Sequence, residues 1–265
     1  MATEADRDSG LSKIGRVLGM KPQVSVILPT YDESQNINEL ILAILKYVEP
    51  APEIIVVDDD SPDQTWEVVL KVQAEHPNVK LIRRTKERGL ATAVAEGLAN
   101  SRGDIIIWMD SDFSHPPALI PQLVNALESC PIALASRYVK GGGSQASSLR
   151  VWTARLVNVL ANVVLGRPYL DWTSGFIAVK REVLEKVKIV PLGTGYGEYF
   201  MVFLFQARKV FRRIEQIPYT YVYRQRGTTK TSPNMLMLLA LGLSYCWCIL
   251  YLRFDDLLQL VQLSQ

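Results

Sequence analysis

Between residues 23 and 109 the chain alternates four short apolar runs with three stretches of helical spacing, and this alternation restricts the fold more than any other feature. Gln23–Leu28 (QVSVIL), Ile54–Val57, Val79–Arg83 and Ile105–Met109 are short and rich in β-branched residues, so they read as strands. Pro29 is expected to end the first of them. Asn36–Val48 sets Ile37, Leu40, Ile41, Ile44, Leu45 and Val48 on one helical face, and Thr65–Glu75 and Gly89–Asn100 supply two more helices. Strands alternating with helices imply βαβ units and a parallel sheet, and uninterrupted apolar strands suit burial on both faces. The expected class is therefore α/β: a mostly parallel, Rossmann-like sheet flanked by helices. With 265 residues and 48% apolar content, the chain can bury a full core. A net charge of +2 lacks the basic excess of a nucleic-acid binder, so no nucleic-acid partner is expected.

Further along, Leu119–Leu127 reads as a helix, Ala133–Ser136 as a strand and Lys140–Ser148 (KGGGSQASS) as a mobile loop. Leu149–Leu165 is an apolar helix with Arg150 and Arg155 near its start, and Ile214–Tyr223 a further strand. Met235–Leu252 is almost wholly apolar, and Arg253, Asp255 and Asp256 are expected to stop it sharply. A bilayer span needs roughly 20 residues. The run fits a transmembrane helix, an interfacial arm or a core helix, and a lipid substrate would favour membrane attachment. The organisation expected is a loose tail over residues 1–22, a catalytic domain over 23–232 and an apolar membrane-associated segment over 233–265. The tail lacks the basic start and apolar stretch of a secretory signal, which points to action on the cytoplasmic side. Three cysteines, Cys130, Cys246 and Cys248, form no metal-ligand spacing, and two histidines are too few for a histidine metal cluster.

Ligands of open α/β sheets bind beyond the carboxyl ends of the strands, and two acidic clusters fall there. Asp58, Asp59 and Asp60 follow the second strand; they fit either a nucleotide contact or a solvated acidic turn. Asp110-Ser111-Asp112 follows the fourth strand. Two carboxylates two residues apart on an extended segment point the same way and can share one Mg²⁺ or Mn²⁺ ion, which completes its shell with substrate phosphates. Arg137 and the loop Arg224–Lys230 supply cations suited to phosphate, or a basic surface loop.

Seven ordered segments carry a resemblance: LPTYDE (28–33), VVDDDSPDQT (56–65), ERGLATAVAEG (87–97), MDSDFSHPP (109–117), ASRYVKGGG (135–143), DWTSGF (171–176) and the pattern Arg224, Gly227, Thr229, Lys230. They resemble the family 2 inverting glycosyltransferases of GT-A fold, and among them the synthases of dolichyl- or polyprenyl-phosphate mannose. The resemblance implies transfer of mannose from GDP-mannose to a polyprenyl phosphate, with a UDP-glucose enzyme or a non-catalytic nucleotide-sugar-binding subunit as alternatives. It implies that Pro29, Tyr31, Glu33, Val57 and Asp59 hold the donor nucleotide. Asp110 and Asp112 would bind the metal, Ser111 would lie near the donor, and Arg137 would meet the donor or its sugar. Arg224 and Lys230 would bind phosphate, Ser174 and Gly175 would shape the sugar and acceptor pocket, and small membrane-anchor subunits become possible partners. Asp32 stands where the family usually has Asn, and Thr229 where it usually has Ser.

Overall fold

The computed structural model describes residues 23–145, 148–166, 170–190, 196–224, 226–227 and 235–263. The expected tail over 1–22 and Lys230 lie outside the described residues.

The alternation of the first half becomes β1 (Val24–Thr30), α1 (Ile37–Tyr47), β2 (Glu53–Asp58), α2 (Thr65–Glu75), β3 (Val79–Arg83), α3 (Leu90–Ala99) and β4 (Ile105–Trp108). A 3₁₀ turn at Pro117–Leu119 leads into α4 (Ile120–Ala126), followed by β5 (Ile132–Ser136), β6 (Gly143–Ser144) and α5 (Ser148–Val164). Then come β7 (Ile177–Lys180), α6 (Arg181–Lys186), α7 (Glu198–Val210), β8 (Ile214–Pro218), β9 (Thr220–Tyr221) and α8 (Met235–Leu263). The seven-stranded sheet has the order β3-β2-β1-β4-β7-β5-β8. Its strands are parallel except β7, which runs antiparallel between β4 and β5.

Alternate residues of each strand face opposite sides of the sheet. Val26, Leu28, Ile54, Val56 and Ile107 pack against α1, α2 and α4, while Ile27, Ile55, Val57, Ile106 and Trp108 pack against α3, α5, α7 and α8. On this second side Trp108 meets Phe203 edge-on with ring centroids 5.1 Å apart. Aromatic pairs prefer this arrangement to a face-to-face sandwich.

Several expectations are corrected. β1 continues through Pro29 to Thr30, because the parallel ladder to β2 keeps its register past the proline. The strand expected over Ile214–Tyr223 divides at Tyr219: β8 belongs to the large sheet and β9 pairs with β6. The described part of the expected mobile loop is therefore tied by that small sheet, with Gly143 N–H donating to the Tyr219 carbonyl. The charges at Arg253, Asp255 and Asp256 do not end the last helix, which runs to Leu263; Asp256 pairs with Lys209 of α7 at 2.8 Å and is satisfied within the helix. β7, α6 and α7 had no expected counterpart. α7 is buried all round from Tyr199 to Phe205, an unbroken apolar run, and its polar residues Gln206, Arg208 and Lys209 are confined to its end, so most of the helix shows no polar face.

Glu53 pins the amino-terminal edge of the sheet, opposite the acidic strand ends. Its carboxylate accepts hydrogen bonds from the Ser25 hydroxyl (2.6 Å) and the Arg102 N–H (2.8 Å), and pairs with Lys80. Burial alone would raise its pKa, but the bonds from Lys80, Ser25 and Arg102 outweigh burial and hold it below its ordinary value. A carboxylate whose pKa is lower folded than unfolded contributes stability that is complete above the unfolded value and is lost as pH falls through the folded one. Glu53→Gln is expected to lower stability at neutral pH and to flatten its loss below about pH 4.5. Urea unfolding midpoints of both proteins measured across that range would check this; curves that stay parallel would show that Glu53 does not contribute through its charge.

Candidate active site

The strand order reverses direction beside β1, with β2 on one flank and β4 on the other. Such a switch point opens a crevice at the carboxyl ends of the strands. Here it holds a cavity of about 1320 Å³ lined by Pro29, Tyr31, Glu33, Asp59, Asp110, Ser111, Asp112, Arg137, Ser174, Gly175 and Arg224, among others. Of the described residues expected at the site, only Val57 is not on its wall: its side chain points into the core beneath α3.

The three consecutive aspartates after β2 divide their work. Asp58 closes a turn, accepting from the Thr30 and Ser61 hydroxyls and from the Ser61 N–H. Asp60 pairs with Arg83 outside the cavity. Asp59 faces the cavity and is held from behind: one oxygen takes the Nε–H of buried Arg84, and the other takes the Gly89 N–H at 2.7 Å. Arg84 also donates to Thr92 and to the Gly89 carbonyl, so it fixes the start of α3 against the acid.

Past β4, Phe113 adopts φ +64° and turns the chain back. Asp110 and Asp112 thereby acquire different surroundings. Asp112 is buried, accepts the Ser114 N–H at 3.0 Å, and takes two bonds from Arg224, Nη2 at 2.7 Å and Nε at 3.1 Å. Burial would raise its pKa, but Ser114 and Arg224 hold it below the ordinary value. The same Arg224 Nη2 donates to Glu33 at 3.0 Å, and Glu33 also accepts from Asn36. Asp110 instead turns to the cavity with about half its side chain exposed there. Restricted solvent in the cavity and the neighbouring negative charges of Asp112 and Glu33, offset only in part by Arg224 and Arg137, raise its pKa above the ordinary carboxylate value. Gly175, at φ +75°, lies under this acid: a Cβ there would come within 4.0 Å of Asp110 Oδ1. His115 supports it from the other side, its Nδ1 accepting the Asp110 N–H at 3.0 Å. The imidazole is fully buried and stacked on Phe176, and burial lowers its pKa to about 4, so it stays neutral.

Arg137 follows β5, and its guanidinium is clamped by the fully buried Asp171 through Nε (2.8 Å) and Nη2 (2.6 Å), with Thr173 at 2.7 Å. Burial would lower the arginine's pKa, but Asp171 keeps it charged, well above its ordinary value. Ser111 donates to the Pro29 carbonyl at 3.0 Å, and Ser174 accepts the Phe176 N–H at 3.3 Å, so both hydroxyls stiffen the wall.

Among the described residues no three His, Cys, Asp or Glu side chains form a ready-made metal cage. The donor set nevertheless fits a hard divalent cation that takes most ligands from substrate phosphates and water. Asp110 is a carboxylate under repulsion from two others and turned to the cavity, and Asp112 lies beside it. Sequence reasoning missed Arg84, His115 and Asp171 as supports. Arg84 stands in no motif, whereas His115 and Asp171 lie inside segments already singled out.

Residues 25–188 match the family model described as glycosyl transferase family 2, and the chain belongs to that family. It is 39% identical over 219 residues to a dolichol-phosphate mannosyltransferase of Pyrococcus furiosus, covering 78% of this chain and 59% of the relative's length. It is 31% identical over 222 residues to an undecaprenyl-phosphate mannosyltransferase of Micrococcus luteus, covering 81% of this chain and 89% of the relative. In structure it is similar to glucosyl-3-phosphoglycerate synthase from Mycobacterium tuberculosis in complex with Mn²⁺, UDP-glucose and phosphoglyceric acid, with a TM-score of 0.66 at 22% identity, over 96% of this chain and 84% of that one. That likeness establishes the GT-A fold.

The Arg137–Asp171 pair yields a prediction of stability. Removing one partner of a buried pair strands the other charge, at a cost of about 3–5 kcal/mol. Asp171→Ala is expected to lose that much in urea unfolding, and the double change Asp171→Ala with Arg137→Met to recover part of it. Equal losses in the single and double variants would mean that the pair is not what Asp171 contributes.

Proposed function

We propose that the chain transfers mannose from GDP-mannose to a polyprenyl or dolichyl monophosphate, inverting the anomeric centre. The observation that carries this reading is the lining of the cavity. Carboxylates and guanidiniums at the strand ends line part of the wall, and α5 and α8 line the rest with Val151, Val159, Val163, Leu238 and Leu241, among which Arg150, Arg155, Asn158 and Asn162 are interspersed. A charged head joined to a long apolar tail is the form of a lipid phosphate, and the two named relatives act on such acceptors.

In this reading residues 23–232 are the catalytic unit and 233–265 the membrane-associated segment, acting from the cytoplasmic face. Pro29, Tyr31, Glu33 and Asp59 line the donor end, and Asp59 is the one of the three aspartates positioned to accept from the nucleotide. Asp110 and Asp112 would hold Mg²⁺ or Mn²⁺, which when bound neutralises charge on the departing diphosphate. A phosphate monoester has a second pKa of about 6, so near neutral pH the acceptor oxygen attacks without a strong base. The bond from that oxygen to the anomeric carbon forms as the bond to the donor diphosphate breaks, and GDP leaves. The protein's task is alignment of two anions and cancellation of their repulsion. Arg224 and Arg137 supply fixed positive charge for it, with Lys230 assigned to the same task by its motif.

Purified chain incubated with Mn²⁺, a short polyprenyl phosphate and labelled GDP-mannose or UDP-glucose in separate tubes tests the proposal. Label reaching the lipid from GDP-mannose alone is expected. Label from UDP-glucose alone would move the sugar assignment, and transfer from neither would favour a non-catalytic binding subunit. Arg224→Gln is expected to lower kcat by roughly 10²–10³-fold, the range for losing one preorganised charge-stabilising donor. Asp112→Ala is expected to abolish turnover while the fold, read by circular dichroism, is kept.

A further inference from the structure

The chain has two histidines, and the one that follows β4, His115, is built into the wall beside Asp110. Its ring has no room to turn. It is fully buried, stacked on Phe176 with centroids 5.0 Å apart, and met edge-on by Tyr219 at 5.8 Å. Nδ1 accepts the Asp110 N–H, so in the neutral ring the proton sits on Nε2. The fold thereby fixes the tautomer and makes Nε2–H a donor.

That donor is unused. Nε2 is buried with no hydrogen-bond partner among the described residues. The Ser174 carbonyl lies near enough to favour a proton on the ring, yet it closes no bond with Nε2. Asp110 Oδ2 stands 3.9 Å from Nε2. The carboxylate of Asp110 is unused as well: no hydrogen bond to it is formed among the described residues, and the surrounding charges act on it only through space. A buried donor without an acceptor costs free energy, and here an acceptor stands one small movement away. The two groups differ in freedom. Phe176, Tyr219 and the Nδ1 bond lock His115, whereas Asp110 is half exposed and turns about its side-chain bonds. Gly175 leaves open the space that both border: a Cβ there would lie 3.6 Å from His115 Cε1 and 4.0 Å from Asp110 Oδ1.

We propose that His115 is a positioning residue for Asp110: as Asp110 takes up a divalent cation, one carboxylate oxygen closes onto Nε2–H, and the acid is held with its other oxygen toward the metal. The cation rests on the proposed function; the fixed tautomer and the unused donor do not. Carboxylates that bind metals are commonly held by such an outer partner, and losing it costs about 10–100-fold in metal affinity. A neutral ring suits the task. An imidazolium beside Asp110 would compete with the cation for the carboxylate's charge, while a neutral N–H orients the acid without opposing the metal.

The full chain carrying His76→Gln and labelled with ¹⁵N-histidine reports on His115 alone. Its ring is expected in the Nε2–H form without cation. Adding Mg²⁺ with GDP is expected to move the Nε2–H proton downfield as the bond to Asp110 closes. A resonance that stays in place while the cation binds would overturn the proposal, and this reading depends on no change at His115 itself. Mn²⁺ affinity, followed by loss of the free-ion electron paramagnetic resonance signal, gives a second measure. His115→Asn keeps an acceptor near the Nδ1 position and loses the Nε2 donor; it is expected to bind Mn²⁺ at least about tenfold more weakly. His115→Gln, which returns an N–H near the Nε2 position, is expected to recover part of that loss. Mn²⁺ affinity in His115→Asn equal to that of the unaltered chain would refute the role. Absence of Mn²⁺ binding by the unaltered chain, with GDP or without it, would instead remove the cation from the proposed function, and the role of His115 with it.

Discussion

The geometry of this molecule turns on keeping acidic groups close together where their mutual repulsion would drive them apart. Glu33 after β1, and Asp110 and Asp112 after β4, meet because β1 and β4 are adjacent parallel strands whose carboxyl ends open at the same edge. Carboxylates so placed destabilise one another unless cations or donor groups offset them. Arg224 offsets two of the three by donating to Glu33 and Asp112 from one guanidinium nitrogen. Asp110 takes no bond from Arg224 and feels the cations only at a distance, so its pKa stays raised, and it is the one turned toward the cavity.

The same device recurs around the cavity. Asp59 is gripped by Arg84, and Arg137 by Asp171, in each case by a buried partner that lies behind the group facing the ligand space. Buried pairs of this kind add little net stability, because desolvation consumes most of the Coulombic gain. They hold side chains in single orientations, and alignment is the main demand that transfer between two phosphates makes of a protein. His115 works without charge: burial keeps it neutral, and its Nδ1 fixes the backbone of Asp110.

How much of this was legible in the sequence follows from what each signal depends on. The βαβ half was readable because each helix there has one buried face and each strand a run of branched apolar residues. The acidic strand ends were readable because a strand's end fixes where the crevice lies. α7 was not, since burial on all sides erases the period that marks a helix, and β8 and β9 were read as one strand because a change of sheet at Tyr219 leaves no mark in composition. The supports Arg84 and Asp171 contact their partners across 25 and 34 residues of chain. Such pairings are set by topology, and no local pattern announces them. At Val57, beside Asp59, strand alternation sends the side chain into the core, so a donor contact there would have to come from the backbone.

The end of α8 illustrates how a sequence rule fails by being applied without its surroundings. Arg253, Asp255 and Asp256 would terminate a segment that had to sit in hydrocarbon, since each would be stranded there. On a helix packed against a protein domain they turn instead toward polar partners, and Lys209 of α7 meets Asp256. The continuation of α8 past these charges and its seam against α7 therefore have one cause. The domain, rather than lipid, is the environment of its inner face, and only the outer face remains to be covered by something apolar.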